Sequence, residues 1–427
     1  MCRSRNLTFI ASLLISSFAL TCAAQTPKDV RAVAKQGQSA IPTVAQYLNS
    51  AALDTRIETV RQLIALGGKD TIDPLILATR DADPEMQIRA TDGLVNYYLP
   101  GYVRQGLGSS LVRAGNSLKA RFSDTNDQVV DGFVMVRGDV ITALGRLARG
   151  GAGMDARANG CRALGILRGQ AALPDLVEAL RSKDNNVMYE SLIAMQKIRD
   201  AGAGPKVGYL VRDLDDRVQT TAIETVGLLR AKDALPALRG VVNNPRNNKA
   251  ARAALDAIAM MPEPEDRDLL LRQLGQKDEK VRASAAEGLG RLGNVADAPG
   301  LEQLWKDEEK MLPRLGSAFA LVMQERFDTG EASPLRYLVN TLNSAAYREV
   351  AYSYLAETAR RTAVLQALYE PMGQGTRDEK IYLARVLAAS GDRTSIPYLD
   401  KASRDTDQEV AKEGLRALRS LRARLGV

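Results

Sequence analysis

Apolar residues recur along most of the chain at helical spacing, and the pattern restarts at a nearly fixed interval. The clearest unit begins at Asp278. Val281, Ala285, Leu289 and Leu292 fall on one face of a helix. The acidic residue one turn earlier favours and caps a helix start, and Gly293 stands where a helix would stop. The pattern resumes at Ala298-Pro299-Gly300-Leu301. Proline in the first turn of a second helix loses no hydrogen bond, because that N–H would be unpaired anyway. The unit reads as a two-helix hairpin.

The same frame returns along the sequence. Ala156, Val187, Val218, Ala250, Val281 and Met311 mark successive first helices, and the interval between them is nearly constant. A proline stands at one fixed distance after the marker at Pro174, Pro205, Pro236 and Pro299, and Pro397 follows Glu379 at the same distance. Weaker copies start near Thr55, Met86, Tyr347 and Val410, which gives about eleven units. One hairpin cannot bury its apolar face alone, whereas stacked hairpins bury a continuous core between two helical layers. The expected fold is therefore all-α: a right-handed α-α superhelix of two-helix repeats over residues 25–427. Alanine, glycine and Cys161 fall where the helices approach closely, and Cys161 reads as a buried small residue.

Two stretches leave the frame. The markers at Met86 and Ala156 are more than two repeat lengths apart, so an irregular insertion is expected over about 99–154. Val129-Val130-Asp131-Gly132-Phe133-Val134 within it has the composition of a small β-hairpin, and Val140 to Leu147 returns to helix. The interval from Met311 to Tyr347 is also long, and Tyr337, Tyr347, Tyr352, Tyr354 and Tyr369 cluster around it. Tyrosine suits an interface, having a large apolar body and a polar tip.

Composition narrows the function. There is no histidine, which removes the commonest general base and metal ligand. The three cysteines, Cys2, Cys22 and Cys161, form no CxxC pair. No nucleophile elbow, phosphate loop, zinc-protease motif or dinucleotide fingerprint is present, so catalytic, cofactor and metal sites are expected to be none. Arg3 and Arg5, the apolar run Leu7–Leu20 and the small residues Cys22-Ala23-Ala24 have the form of a secretory signal over residues 1–24. The location expected is periplasmic or extracellular. Membrane contact is expected only if Cys22 is acylated, for which Thr21 is a poor neighbour. The net charge of +7 falls to about +5 once Arg3 and Arg5 are gone, too little on so long a chain to argue for nucleic acid.

Charged residues keep the repeat. Arg80, Arg181, Arg212, Lys306 and Arg404 all stand at one fixed distance after their markers, and Asp83, Asp184, Asp215, Glu309 and Asp407 follow them one turn later. Cations belong at helix C-termini and acids at the N-terminus of the next helix. A basic rim meeting an acidic partner is the functional alternative. These five cations, with Tyr347, Tyr352 and Tyr354, are the candidate partner-binding residues.

The run Asp-x-x-Val-Arg-x-x-Ala-Ala-x-x-Leu-Gly followed by Ala-Pro-x-Leu, at Asp278–Leu301, resembles HEAT repeats of the short type named after phycobilisome lyases. The resemblance covers nearly all of residues 25–427 and implies a solenoid. Its functional range includes scaffolds, adaptors and a minority of bilin lyases. The expectation is an exported scaffold that holds a partner protein on its concave face. The alternatives are a repeat-type lyase, a regulatory subunit of one, or a structural envelope protein. Mass spectrometry of the mature N-terminus should find Ala24 or Gln25 first; an acylated Cys22 would make the protein a lipoprotein, and an intact Met1 would remove the export reading.

Overall fold

The computed structural model describes residues 26–103, 128–328 and 330–427. The expected signal segment, residues 1–24, lies outside them, as do residues 104–127 of the irregular stretch. Every regular element among the described residues is helical, and the helices alternate between two layers. First helices are Pro27–Ala34, Leu53–Leu66, Pro84–Tyr98, Met154–Ile166, Asn185–Ile198, Asp216–Leu228, Asn248–Met260, Glu279–Leu292, Met311–Met323, Arg348–Thr358, Arg377–Ser390 and Gln408–Leu425. The second layer holds Ile41–Gln46, Ile72–Ala78, Gly138–Gly150, Leu173–Ala179, Gly204–Val207, Leu235–Asn243, Arg267–Gln273, Ala298–Asp307, Pro334–Thr341, the broken pair Thr362–Ala367 and Tyr369–Gln374, and Ile396–Ala402. Eleven hairpins are thus followed by one unpaired first helix. The hairpin at residues 27–46 precedes the first copy that the sequence pattern shows. No described helix is long and apolar enough to cross a membrane.

The punctuation follows from local chemistry. Asp83, Asp184, Asp215 and Asp407 each accept two backbone N–H groups from the first turn of the helix they precede, and Asp278 accepts that of Lys280. A cap of this kind stabilises by about 1 kcal/mol. At the copy near Met311 the acid expected to do this was Glu309, but Lys310 holds the cap position and Glu308 accepts its N–H at 2.9 Å. Prolines 42, 174, 205, 236, 299, 334 and 397 all sit in the first turn of a second helix. The basic residue after the marker ties its hairpin together. Arg56 holds Asp81 (2.7 and 3.2 Å) and Arg282 holds Glu308 (2.8 and 3.1 Å), each through two parallel bonds, and Lys380 holds Asp405 at 3.0 Å.

The irregular stretch belongs to one repeat. Gly138–Gly150 packs against Ile72–Ala78 on one side and Leu173–Ala179 on the other, so it is the second helix of the hairpin that Pro84–Tyr98 begins. The insertion is therefore residues 99–137, inside a hairpin, and ends well before Met154. The expected β-hairpin is absent: residues 128–137 hold a turn over Asp131–Val134, closed by the Val134 N–H on Asp131 O at 3.0 Å, with no strand on either side. The cause is that the Val130 N–H is taken by Ile166 O, at 2.9 Å, rather than by a neighbouring strand.

Small residues set the curvature. A Cβ built on Gly290 would lie 2.5 Å from Ala320 Cα, and one on Gly227 would lie 2.8 Å from Ala257 Cα. Only glycine permits such an approach between neighbouring first helices. The layer with the closer spacing lies on the inside of the curve, and first helices do meet across several repeats. Arg230 Nη2 donates to Glu357 Oε1 at 2.7 Å, four repeats on, and Arg291 Nη2 donates to Glu357 Oε2 at 2.9 Å. Tyr354 Oη donates to Glu287 Oε1 at 2.5 Å. Arg416 of the last helix donates from Nε to Asp131 in the insertion at 2.8 Å.

Replacing Gly290 by alanine is expected to lower unfolding free energy by roughly 1–3 kcal/mol, because the backbone at Ala320 cannot give way cheaply. Gly300, in a second helix with open space around it, serves as control; its alanine variant should be neutral or stabilised by up to about 1 kcal/mol. Thermal unfolding of both variants checks the difference.

Candidate functional site

The inner layer carries a groove of about 740 Å³. Its walls come from four consecutive first helices and from Val129 of the insertion. Asn185–Ile198 supplies Tyr189, Ile193, Gln196 and Lys197. Asp216–Leu228 supplies Arg217, Thr220, Thr221 and Glu224. Arg168 and Arg199 stand just past the ends of their helices, and Lys249 opens the next one. Five cations therefore face one carboxyl group across an aliphatic floor that includes Ile193 and Leu228.

The local partners differ along the groove. Arg217 lies over the Tyr189 ring, 3.5 Å from its centroid, and donates to Asn186 Oδ1 at 3.1 Å. Lys197 Nζ donates to Gln128 O at 3.3 Å, which holds the insertion against the groove edge. Gln196 Nε2 donates to Thr225 Oγ1 at 3.0 Å. Arg168 and Arg199 have no ion-pair partner among the described residues. Arg199 keeps contact with water, yet the concave walls displace much of its hydration. That loss, and then repulsion from Arg168, pull its basicity below the ordinary range; an arginine stays charged all the same. Burial likewise pushes the Glu224 carboxyl up, and Lys249 offsets part of the rise.

Arg168, Arg199 and Arg230 share one slot in three adjacent repeats. All three have left-handed backbone, with φ of 51°, 61° and 53°. The same slot holds Gly67 and Gly293, with φ of 62° and 67°. A non-glycine residue gives up on the order of 1 kcal/mol there. In return, the position beyond the helix end lets each guanidinium reach the inner wall. The Arg230 rung is filled, since Glu357 bridges it to Arg291. The rungs at Arg168 and Arg199 hold no ion pair among the described residues.

Beneath the groove floor runs a buried polar seam. Arg162 Nε meets Glu190 Oε2 at 3.3 Å, its Nη1 donates to Asn159 Oδ1 at 3.1 Å, and Asn159 Nδ2 donates to Asp92 Oδ1 at 3.1 Å. Burial raises the Glu190 carboxyl against the opposing pull of Arg162. The Cys161 thiol is fully buried nearby and pushed far up by desolvation, so it is inert as a nucleophile. Further along, the Asp256 carboxyl is pushed up to about 6. Burial is the main cause and the charges of Glu287 and Glu224 add to it, while a hydrogen bond from Ser284 and the charge of Lys280 oppose it. Among the described residues no group of three or more acidic or cysteine side chains is placed to hold a metal ion.

The residues singled out from sequence lie elsewhere. Arg80, Arg181, Arg212, Lys306 and Arg404 stand at the ends of second helices, on the outer layer's rim, and none lines the inner groove. Arg181 and Arg404 pair with Glu178 and Asp400 of their own helices. Arg80 shares a cavity of about 470 Å³ with Arg146, and Lys306 one of about 400 Å³ with Trp305. The tyrosines do not form one exposed patch. Tyr354 is only 6% exposed and stacks on Phe319, with ring centroids 4.7 Å apart; Tyr352 packs edge-on against Tyr382; and Tyr347 is half-buried before the start of its helix. Helical spacing turned Tyr354 inward, where its hydroxyl is satisfied by Glu287. Sequence reading missed Arg168 and Arg199, whose only signal was a non-glycine residue in the slot that glycine takes in other copies.

Known proteins share this pattern. The family model for HEAT repeats matches residues 245–322. The phycocyanobilin lyase subunit alpha of Nostoc sp. is 27% identical over 164 residues, 35% of this chain and 58% of that protein. The match thus spans less than two thirds of the relative's length. Among solved structures, the CpcE–CpcF complex of phycocyanin lyase from Nostoc sp. is 19% identical, covers 65% of this chain and 96% of its own, and has a TM-score of 0.38. Importin beta is 13% identical, covers 93% of this chain and 62% of its own, with a TM-score of 0.43.

Asp256, which lies outside the groove lining, gives the fold a pH signature. Its folded pKa lies above its unfolded value of 3.8, so the folded state binds this proton first and stability falls as pH rises through about 4 to 6. Asp256→Asn should raise stability at pH 8 by roughly 1–3 kcal/mol. The gain should vanish below about pH 3, where both states carry the proton. Denaturant unfolding at the two pH values measures it.

Proposed function

We propose that this chain, a HEAT-repeat protein with repeats of the phycobilisome-lyase type, is an interaction scaffold that holds a partner protein along its inner layer. One observation carries the reading. Arg168, Lys197, Arg199, Arg217 and Lys249 line one groove of the inner layer with a single carboxylate among the described residues, Glu224, and Arg168 and Arg199 form no ion pair there. A concave wall with an excess of one charge attracts a segment of the opposite charge. Export by the segment at residues 1–24 belongs to the same reading and rests on the sequence pattern alone.

A second reading, a bilin-lyase-like enzyme or its subunit, is favoured by the likeness to the phycocyanobilin lyase subunit and by the raised carboxyl of Asp256. The buried Cys161 offers it no nucleophile.

Lysine crosslinking in the native cell, followed by mass spectrometry, tests the scaffold. Lys249 lies in the groove, whereas Lys183, Lys306 and Lys401 lie on the outer layer or its rim. A protein partner should crosslink to Lys249. Crosslinks confined to the outer lysines would defeat the inner-layer reading, and recovery of the chain with a bound tetrapyrrole would favour the second.

A further inference from the structure

We propose that the groove takes an extended acidic segment of the partner, with a carboxylate at every third residue set on successive arginine rungs. The inference rests on the scaffold reading and adds what the scaffold recognises. Its basis is the three-repeat ladder of Arg168, Arg199 and Arg230. Neighbouring packed helices are spaced by about 8–10 Å, and an extended chain rises about 3.3 Å per residue. A strand therefore advances by one rung at every third residue.

The filled rung shows the chemistry that the open ones lack. At Arg230 a carboxylate, Glu357, accepts from the guanidinium at 2.7 Å and is shared with Arg291. Arg168 and Arg199 hold the same slot, with the same left-handed backbone, in the two repeats before it. They line the groove and form no ion pair among the described residues. Lys249 and Arg217 extend the positive wall on the far side.

The groove favours a peptide over a nucleic acid strand. Base stacking needs an open aromatic face, and Tyr189, the one aromatic among the described residues that line the groove, is already covered by Arg217. The floor is aliphatic, from Ile193 and Leu228, and suits the small side chains between the acids of an extended peptide. Glu224 on the wall opposes a continuous line of phosphates but can pair with a peptide N–H.

The backbone at the rungs supplies variants that will fold. Arg168→Gly and Arg199→Gly put glycine where Gly67 and Gly293 already stand, so they relieve strain instead of adding it. The probe is a fluorescent peptide of repeated Glu-Ser-Ala, read by anisotropy against the full chain at low salt. The control peptide has the same composition with its glutamates in one block. The periodic peptide should bind, and bind more tightly than the block. Each glycine substitution should weaken it by about tenfold, as expected for loss of one charge-assisted contact. The melting temperature should hold or rise, and Arg181→Ala on the outer rim should change nothing. Equal binding of both peptides, or affinity unmoved in the double glycine variant, would overturn the proposal. So would tighter binding of a single-stranded oligonucleotide of equal charge. If the peptide fails while a partner still crosslinks to Lys249, the acidic-segment inference falls and the scaffold stands; if the crosslink is also missing, the scaffold reading falls with it.

Discussion

The close approach of neighbouring first helices governs the rest of the molecule. Gly227 against Ala257 and Gly290 against Ala320 leave no room for a Cβ, so the first-helix layer is compressed along the stack. In the second layer, whose helices are mostly short, the close contacts are with side chains, Gly145 with the Asp175 carboxylate and Gly204 with the Ala231 Cβ, and not with helix backbone. A stack shortened on one side must curve toward that side. Curvature then brings together inner-layer groups that are remote in sequence, as Arg230 and Glu357 show. The electrostatics of the inner wall are therefore a product of packing: small side chains in one layer bring charged ones from several repeats within reach of each other.

That constraint separates what the sequence made legible from what it did not. Periodic markers, prolines and acidic caps are local signals, each with a steric or hydrogen-bonding cause within a single hairpin, and they identified the fold and most repeats. The insertion was misplaced because the second helix of its repeat, Gly138–Gly150, lacks the proline that marks most of the others. A gap inside a hairpin then looks the same as a missing repeat. A turn beginning at Asp131 was legible, but the competition of Ile166 O for the Val130 N–H was not, since that partner comes from another repeat.

The candidate site was harder to read for the same reason. The cations at the ends of the second helices recur in five copies and so drew notice, yet they complement helix ends and their own neighbours. The rung arginines occur in three copies only. Arginine does not signal a left-handed backbone, and the pairing of Arg230 with Glu357 depends on curvature across four repeats. The tyrosines near residue 350 show the converse. Their spacing was visible, but whether Tyr354 faced solvent or Phe319 depended on which layer lay inside.

A repeat architecture makes strain at the rungs tolerable. Stability in a solenoid is close to a sum over hairpins and their nearest neighbours, so a cost of on the order of 1 kcal/mol at each helix end stays local. Here three adjacent repeats carry it, while Gly67 and Gly293, in repeats on either side, avoid it. Were the arginines present only to complement helix dipoles, positions inside the last turn would serve without strain, as Arg291 does in Glu279–Leu292. Placement just past the helix end instead carries the guanidinium onto the inner wall. Three of the four described non-glycine residues with positive φ thus fall in consecutive repeats along the basic groove, Glu325 being the fourth, and a binding function would concentrate strain in that way.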